Sequence, residues 1–293
     1  MIGKIELVLD AKAVLGEGPC WDARTGVLYW VDIEGRKICA YNSRSGENNE
    51  ILLDQQVSAV VPSTNRDQLI VAIETGLFYV NIKTGTLQII TDVEKDLHNN
   101  RPNDGKCDAY GRFWIGTMNK KGEKGQGALY CLDTNGEITK KIDDVSTSNG
   151  LAWDKNNKYM YYIDTPTQKV LRFEFTLETA KLGEAVEVVD FSSEEGFPDG
   201  MTIDMEGMLW IAHWGGSKVS RWNPDKKKKL AEIDLPVLNV TSCTFGGEHL
   251  QDLYITTARS GMTEEQLEKY PLSGGLFKVS TEVSGMQSML FGK

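Results

Sequence analysis

Residues 25–32 read TGVLYWVD and, after IEGR, the chain continues KICAYN at 37–42. Thr25-Gly26 is turn chemistry, and Val27 to Val31 is a run of β-branched, aromatic and aliphatic side chains, so the phrase predicts two short strands joined by a polar turn. The same phrase returns as RDQLIVAI (66–73) with GLFYVN (76–81), YGRFWIGTM (110–118) with GALYCLD (127–133), NKYMYYID (157–164) with KVLRFEF (169–175), EGMLWIAHW (206–214) with KVSRWNP (218–224), and QDLYITTA (251–258) with GGLFKVS (274–280). That makes six copies. With Leu28, Leu69, Phe113, Met160, Leu209 and Leu253 as equivalents, the spacing is about 41 to 49 residues, close to the four-stranded unit of a propeller blade.

A hairpin supplies only two of those four strands, so the others must come from linking segments such as ENNEILLD (47–54), TLQIITD (86–92), AVEVVDF (185–191) and KKLAEID (228–234). The expectation is an all-β, six-bladed β-propeller forming one domain over residues 1–293. The apolar stretch IELVL (5–9) has no place in the first blade; it is expected to complete the last, joining the ends of the ring and hiding a sheet edge. Two stacked β-sandwiches are the competing architecture, and six regular copies without a linker favour the propeller.

Composition narrows the function. The chain's 32 basic and 42 acidic residues give a net charge of −10, which repels phosphate backbones, and the basic run Lys226 to Lys229 has no interleaved aromatic to stack bases. Nucleic acid is not expected as a partner. No stretch approaches a membrane span, and the N-terminus lacks the apolar block of a secretory signal, so a soluble, cytoplasmic protein is expected with no membrane partner. Cys20, Cys39, Cys107, Cys131 and Cys243 are scattered without a CxxC pair, which reads as reduced, buried thiols.

In a propeller the innermost strands converge on the mouth of the central channel, so the residues entering them are the ones to examine. Three copies carry an acidic or amide residue, then Gly, then Asp five positions on: Glu17-Gly18 to Asp22, Asn149-Gly150 to Asp154, and Asp199-Gly200 to Asp204. A fourth has Asn103-Asp104-Gly105 to Asp108. Equivalent positions point to one axis, so Glu17, Asn103, Asn149 and Asp199 should converge there. Two carboxylates plus amide oxygens form a hard ligand set for Ca²⁺, Mg²⁺ or Mn²⁺, and clustering them without a cation costs repulsion and desolvation. Each alone would read as a turn cap; four at one register weaken that reading. Asp22, Asp108, Asp154 and Asp204 remain turn residues.

The segments LGEGPCWD, RPNDGKCDAYGRFWIGTM, SNGLAWD, FPDGMTID with EGMLW, and TSCTFGG occur in this order over nearly the whole chain. This series resembles the SMP-30/gluconolactonase/luciferin-regenerating-enzyme family. The resemblance implies a six-bladed propeller with one axial divalent cation (Ca²⁺, Zn²⁺, Mn²⁺ or Mg²⁺) that hydrolyses sugar lactones to aldonic acids. It places metal ligands on Glu17, Asn149 and Asp199, with Asp199 also the acid/base residue, and substrate contacts on Arg101 and Asn103. A further acidic contact would fall on Glu123, in the Lys/Gly-rich loop before QGALY. A small-molecule lactone is the implied partner, and a monomer or weak homodimer the implied state.

These groups make the chemistry intelligible without a Ser or Cys nucleophile. A cation at the lactone carbonyl stabilises the oxyanion formed when water attacks, and the base is either Asp199 or water activated by the cation. Arg101 offers paired donors to sugar oxygens or a developing carboxylate. His98, His213 and His249 are too few and scattered for a Ser/His/Asp system; His98 reads as a solvated loop residue. Trp30, Trp114 and Trp210 on predicted inner strands, and Trp21 and Trp153 on turns, read as packing between blades, with Trp214 the one facing substrate. MTEEQLEKYP (262–271) predicts a short inserted helix. Two other classes compete: a non-catalytic calcium-binding or interaction propeller, which would not need Arg101 and Asn103, and an arylesterase/phosphotriesterase-like propeller, which needs a second cation and a histidine dyad.

Overall fold

Each repeat folds as an antiparallel four-stranded sheet. The computed structural model describes residues 2–292. Strand β1 (Ile2–Leu9) stands apart from its neighbours in sequence. Blade 1 is β2 (Gly16–Asp22), β3 (Val27–Asp32), β4 (Lys37–Asn42) and β5 (Asn48–Leu52). Blade 2 is β6 (Val57–Pro62), β7 (Gln68–Ile73), β8 (Gly76–Asn81) and β9 (Leu87–Asp92). Blade 3 is β10 (Asn100–Cys107), β11 (Phe113–Asn119), β12 (Gly127–Leu132) and β13 (Ile138–Val145). Blade 4 is β14 (Ser148–Trp153), β15 (Tyr159–Asp164), β16 (Lys169–Thr176) and β17 (Lys181–Asp190). Blade 5 is β18 (Phe197–Ile203), β19 (Leu209–Trp214), β20 (Lys218–Asn223) and β21 (Lys228–Asp234). Blade 6 takes β22 (Asn239–Gly246), β23 (Asp252–Ala258) and β24 (Leu276–Thr281) from the C-terminal end and β1 from the other.

The closure follows the expectation from IELVL: β1 lies against β24, with Ile5 opposite Val279 and Leu7 opposite Phe277. The linking segments do form outer strands, namely β5, β9, β17 and β21. The fourth strand of each blade comes from elsewhere. The Gly/Pro-rich phrases GEGPCWD, NRPNDGKC, SNGLAW and FPDGMTI are themselves the innermost strands, so Trp30, Trp114 and Trp210 sit one strand out from the axis. Trp21 and Trp153 end innermost strands and do not lie on turns. Helix α1 (Glu264–Lys269) forms where expected, with Thr263 and Gln266 making a reciprocal capping box.

The core lies between blades. Each blade-to-blade seam has its own apolar cluster, such as Val31 and Ile38 against Val60 and Leu69, or Trp210 and Ile233 against Val240 and Phe245. Trp114 meets Trp153 and Phe175 edge-on at 5.8 and 5.9 Å, bridging blades 3 and 4. Outer strands carry charge that discourages edge pairing; Lys229 of the basic run reaches Glu194 at 2.8 Å and Glu232 at 3.1 Å. All five cysteines are free and buried. After β24, residues 283–292 cross the face of the ring away from the site. Gly285 N–H donates to Leu250 O at 2.7 Å, Met286 N–H to Ile203 O at 3.2 Å, and Phe291 N–H to Pro62 O at 2.9 Å. Met286 to Met289 thereby cover a small cavity walled by Lys106, Trp153, Thr202 and Thr244 of four blades.

Candidate metal centre and active site

Every innermost strand breaks its register with β3, β7, β11, β15, β19 or β23 at the same depth: between Glu17 and Cys20, Val57 and Ala59, Pro102 and Gly105, Asn149 and Leu151, Pro198 and Met201, and Val240 and Ser242. A bulge re-aims the side chains next to it. Glu17, Asn103, Asn149 and Asp199 from four blades accordingly line one cavity of about 210 Å³ with Arg101, Thr165 and Trp214. They are 6%, 8%, 4% and 5% exposed. The glycines that follow serve this arrangement in two ways. Gly18 has φ +52°, a conformation glycine adopts freely, and its N–H donates to Glu17 Oε2 at 2.9 Å. Gly200 lets β18 approach β22, because a Cβ there would overlap the Ser242 side chain.

The polar side chains form a connected set. Arg101 Nη1 donates to Asn103 Oδ1 and Pro102 O, both at 2.8 Å, and to Ser58 Oγ at 3.4 Å. Asn103 Nδ2 donates to Ser148 O at 2.8 Å and to Asn149 Oδ1 at 3.4 Å. Asn149 Nδ2 donates to Thr165 Oγ1 at 2.8 Å. Glu94 braces the strand entry just before Arg101: its Oε2 accepts from Asn100 Nδ2 at 2.9 Å, and its Oε1 from Thr117 Oγ1 at 3.0 Å and Tyr130 OH at 2.9 Å.

Electrostatically the cavity is strained toward positive charge. Burial, with Asp104 beside it, pushes the Glu17 carboxyl up to about 8. Burial, then Glu17 and Asp104, raise Asp199 well above the carboxylate range, against the pull of the Gly200 N–H and the Asn149 amide. Asp104 is also raised, by burial. The Lys106 ammonium below them donates to Met201 O at 2.7 Å. Asp199 Oδ1 is buried and has no hydrogen-bond partner, which in a native fold asks for a missing partner. Two crowded carboxylates, an orphaned carboxylate oxygen and an amide oxygen fit a hard divalent cation.

The structure thus brings together Glu17, Arg101, Asn103, Asn149 and Asp199, with Trp214, the tryptophan read as substrate-facing, on the same cavity. It does not bring Glu123 there. That side chain is exposed on the loop between β11 and β12, where Gly122 and Gly125 at positive φ turn the chain outside the cavity wall. The turn aspartates behave as read: Asp108 accepts from the Tyr110 and Arg112 N–H groups and from Trp114 Nε1 at 2.8 Å, and Asp204 from the Glu206 and Met208 N–H groups and Trp210 Nε1 at 2.9 Å. None of the histidines lines the cavity. His213 is buried between Glu195 O at 2.9 Å and Ser220 Oγ at 2.6 Å, while His98 and His249 are exposed. Sequence reading missed Glu94, Asp104, Lys106 and Thr165. Asp104 and Lys106 stood inside the Asn103-to-Asp108 repeat, where Asn103 took the register position, whereas Glu94 and Thr165 lie outside any repeat.

Fold and cavity together define a six-bladed propeller with a buried carboxylate and amide pocket on its axis. The model of the SMP-30/Gluconolactonase/LRE-like region matches residues 15–259, and the chain belongs to that family. It is 42% identical over 286 residues to "Putative sugar lactone lactonase YvrE" of Bacillus subtilis (strain 168), covering 97% of each chain. It is 38% identical over 282 residues to regucalcin of Gallus gallus, covering 94% of each. Among solved structures, a calcium-binding protein, regucalcin, from Agrobacterium tumefaciens superposes with a TM-score of 0.95 at 29% identity, over 99% of this chain and 98% of that one.

Proposed function

We propose that this protein is a divalent-cation-dependent lactonase that opens sugar lactones to aldonic acids. The observation that carries it is the meeting, in one cavity, of a cation-fitting set with a guanidinium and an amide suited to a polyhydroxylated ester. Glu17, Asn149 and Asp199 would hold the cation. When bound, it would offset their charge and polarise the lactone carbonyl. Asp199 takes the proton of the attacking water through whichever carboxylate oxygen the cation leaves free. Arg101 makes its hydrogen bonds through Nη1, which leaves Nη2 and Nε for sugar oxygens and for the carboxylate of the product. Asn103, fixed by Arg101 and Ser148, positions a substrate hydroxyl, and Trp214 closes the apolar side.

Hydrolysis of a panel of aldonolactones by metal-stripped protein, with Ca²⁺, Mn²⁺, Mg²⁺ and Zn²⁺ restored one at a time, tests this reading. Turnover that returns with a cation is the expected result; no turnover with any cation and any lactone would overturn it. A calcium-binding propeller without turnover is the second reading, favoured by the calcium-binding description of the Agrobacterium relative. The same panel separates the two, because a pure binder takes up the cation and opens nothing.

A further inference from the structure

Four side chains on two blades form a hydrogen-bonded chain that runs in one direction and ends on the backbone of a third. It starts at Arg101, which can only donate, and passes from Nη1 to Asn103 Oδ1 at 2.8 Å. Asn103 Nδ2 turns to Asn149 Oδ1 at 3.4 Å and to Ser148 O at 2.8 Å. Asn149 Nδ2 reaches Thr165 Oγ1 at 2.8 Å. The Thr165 hydroxyl then donates to Pro198 O at 2.8 Å, and a backbone carbonyl can only accept. With a pure donor at one end and a pure acceptor at the other, the orientation of both amides is dictated by the chain. Rotating the Asn149 amide by a half-turn would set its NH₂ against that of Asn103 and leave Thr165 with two acceptors for one proton.

Thr165 itself is anchored. It begins the 3₁₀ turn Thr165–Thr167, its N–H donates to Thr147 O at 3.1 Å, and the preceding Asp164 carboxylate accepts from the Ser146 and Thr147 N–H groups at 3.1 and 2.8 Å. The Oγ1 that fixes Asn149 on blade 4 also grips the residue before Asp199 on blade 5.

We infer that Thr165 is a positioning residue of the cation site: it holds the Asn149 amide with nitrogen toward itself and oxygen on the Asn103 side, available to a cation, and ties that amide to the strand carrying Asp199. This rests on the reading of Glu17, Asn149 and Asp199 as ligands. Groups one bond removed from a ligand typically change metal affinity by about 10- to 100-fold when altered.

The test is calorimetric titration of Ca²⁺ and of Mn²⁺, without lactone, into wild type, Thr165→Val, Thr165→Ala and Thr165→Ser. Val and Ala are expected to weaken binding of either cation by about 10-fold or more, and Ser, which keeps the hydroxyl, to stay within about 3-fold of wild type. The thermal shift produced by the cation should shrink in Val and Ala and persist in Ser. If Val destabilises the fold, Ala carries the comparison, having no added bulk. Wild-type affinity in both Val and Ala overturns the inference, as does a loss in Ser equal to theirs or a wild type that binds neither cation. A wild type that binds cations but opens no lactone would reject the enzymatic reading and leave this one standing.

Discussion

Glu17 and Asp199 are buried carboxylates in each other's field, with Asp104 beside both, and without a counter-ion each is shifted toward its protonated form. The sign of the resulting pH dependence is fixed by the direction of the shifts. Glu17 rises from 4.5 to about 8 and Asp199 also rises, so the folded protein binds more protons than the unfolded chain across that window. Their contribution is fully present below about pH 4.5 and is lost as pH climbs through about 8. Metal-free protein should therefore show a falling Tm over this range, and Glu17→Gln should flatten the slope. Adding Mn²⁺ at pH 8 to about 100 times its Kd should return about 2.7 kcal/mol; thermal scans with chelator and with Mn²⁺ check both. Asp199→Asn keeps an oxygen for the cation but removes the base. Turnover should drop by roughly 10²–10⁴ with a modest loss of cation affinity, whereas steady-state rates close to wild type at saturating cation would show that Asp199 is not the base. Which residues could be found in advance follows from repetition. Glu17, Asn103, Asn149 and Asp199 share a register across blades, so each copy vouched for the others. Glu123 and Thr165 sit in segments that do not repeat, and nothing in the chain ties such positions to the axis.

At the scale of the strand, the innermost elements explain both what was legible and what was not. β3, β7, β11, β15, β19 and β23 are rich in β-branched and aromatic residues, and the hairpins they begin stand out in the sequence. Four of the innermost strands, β2, β10, β14 and β18, do not look like strands, because Gly and Pro are sparse in ordinary ones. Here the bulge absorbs them: Pro19, Pro102 and Pro198 lie beside register breaks, where a missing N–H leaves no gap in the ladder. Gly105, Gly150 and Gly200 let β10, β14 and β18 crowd the axis, since a Cβ on each would come within 3.0 Å of a neighbour. Gly200→Ala should consequently lower stability by about 1–3 kcal/mol, the usual penalty for overpacking, since the added methyl group meets Ser242. Chemical denaturation of Gly200→Ala and of Gly200→Ala with Ser242→Gly checks the cause: the second change should recover part of the loss, and no recovery would place the strain elsewhere.

For the whole molecule, six seams of similar make-up share the stability, and two terminal segments lock the ring. β1 was legible because an apolar strand without a blade must pair somewhere. The closing run 283–292 was not, since it follows no strand period and is held chiefly by backbone hydrogen bonds. Phe291 anchors it, 3% exposed in the seam of blades 2 and 3 and 6.2 Å edge-on from Tyr79. Phe291→Ala should cost about 3–5 kcal/mol while leaving the KM for lactone unchanged; urea melts and steady-state kinetics measure the two separately. The same run has a bearing on traffic. Met286 to Met289 cover the cavity on the face of the ring away from the site, and the Glu17–Asp199 pocket, with Arg101 and Trp214 on its wall, faces the other way. Under the proposed reaction, an aldonate would leave by the mouth its lactone entered, with Arg101 beside that route and attracted to its new negative charge. Arrival and departure would then contend for the same space, and accumulated product would slow turnover as a competitor of the substrate.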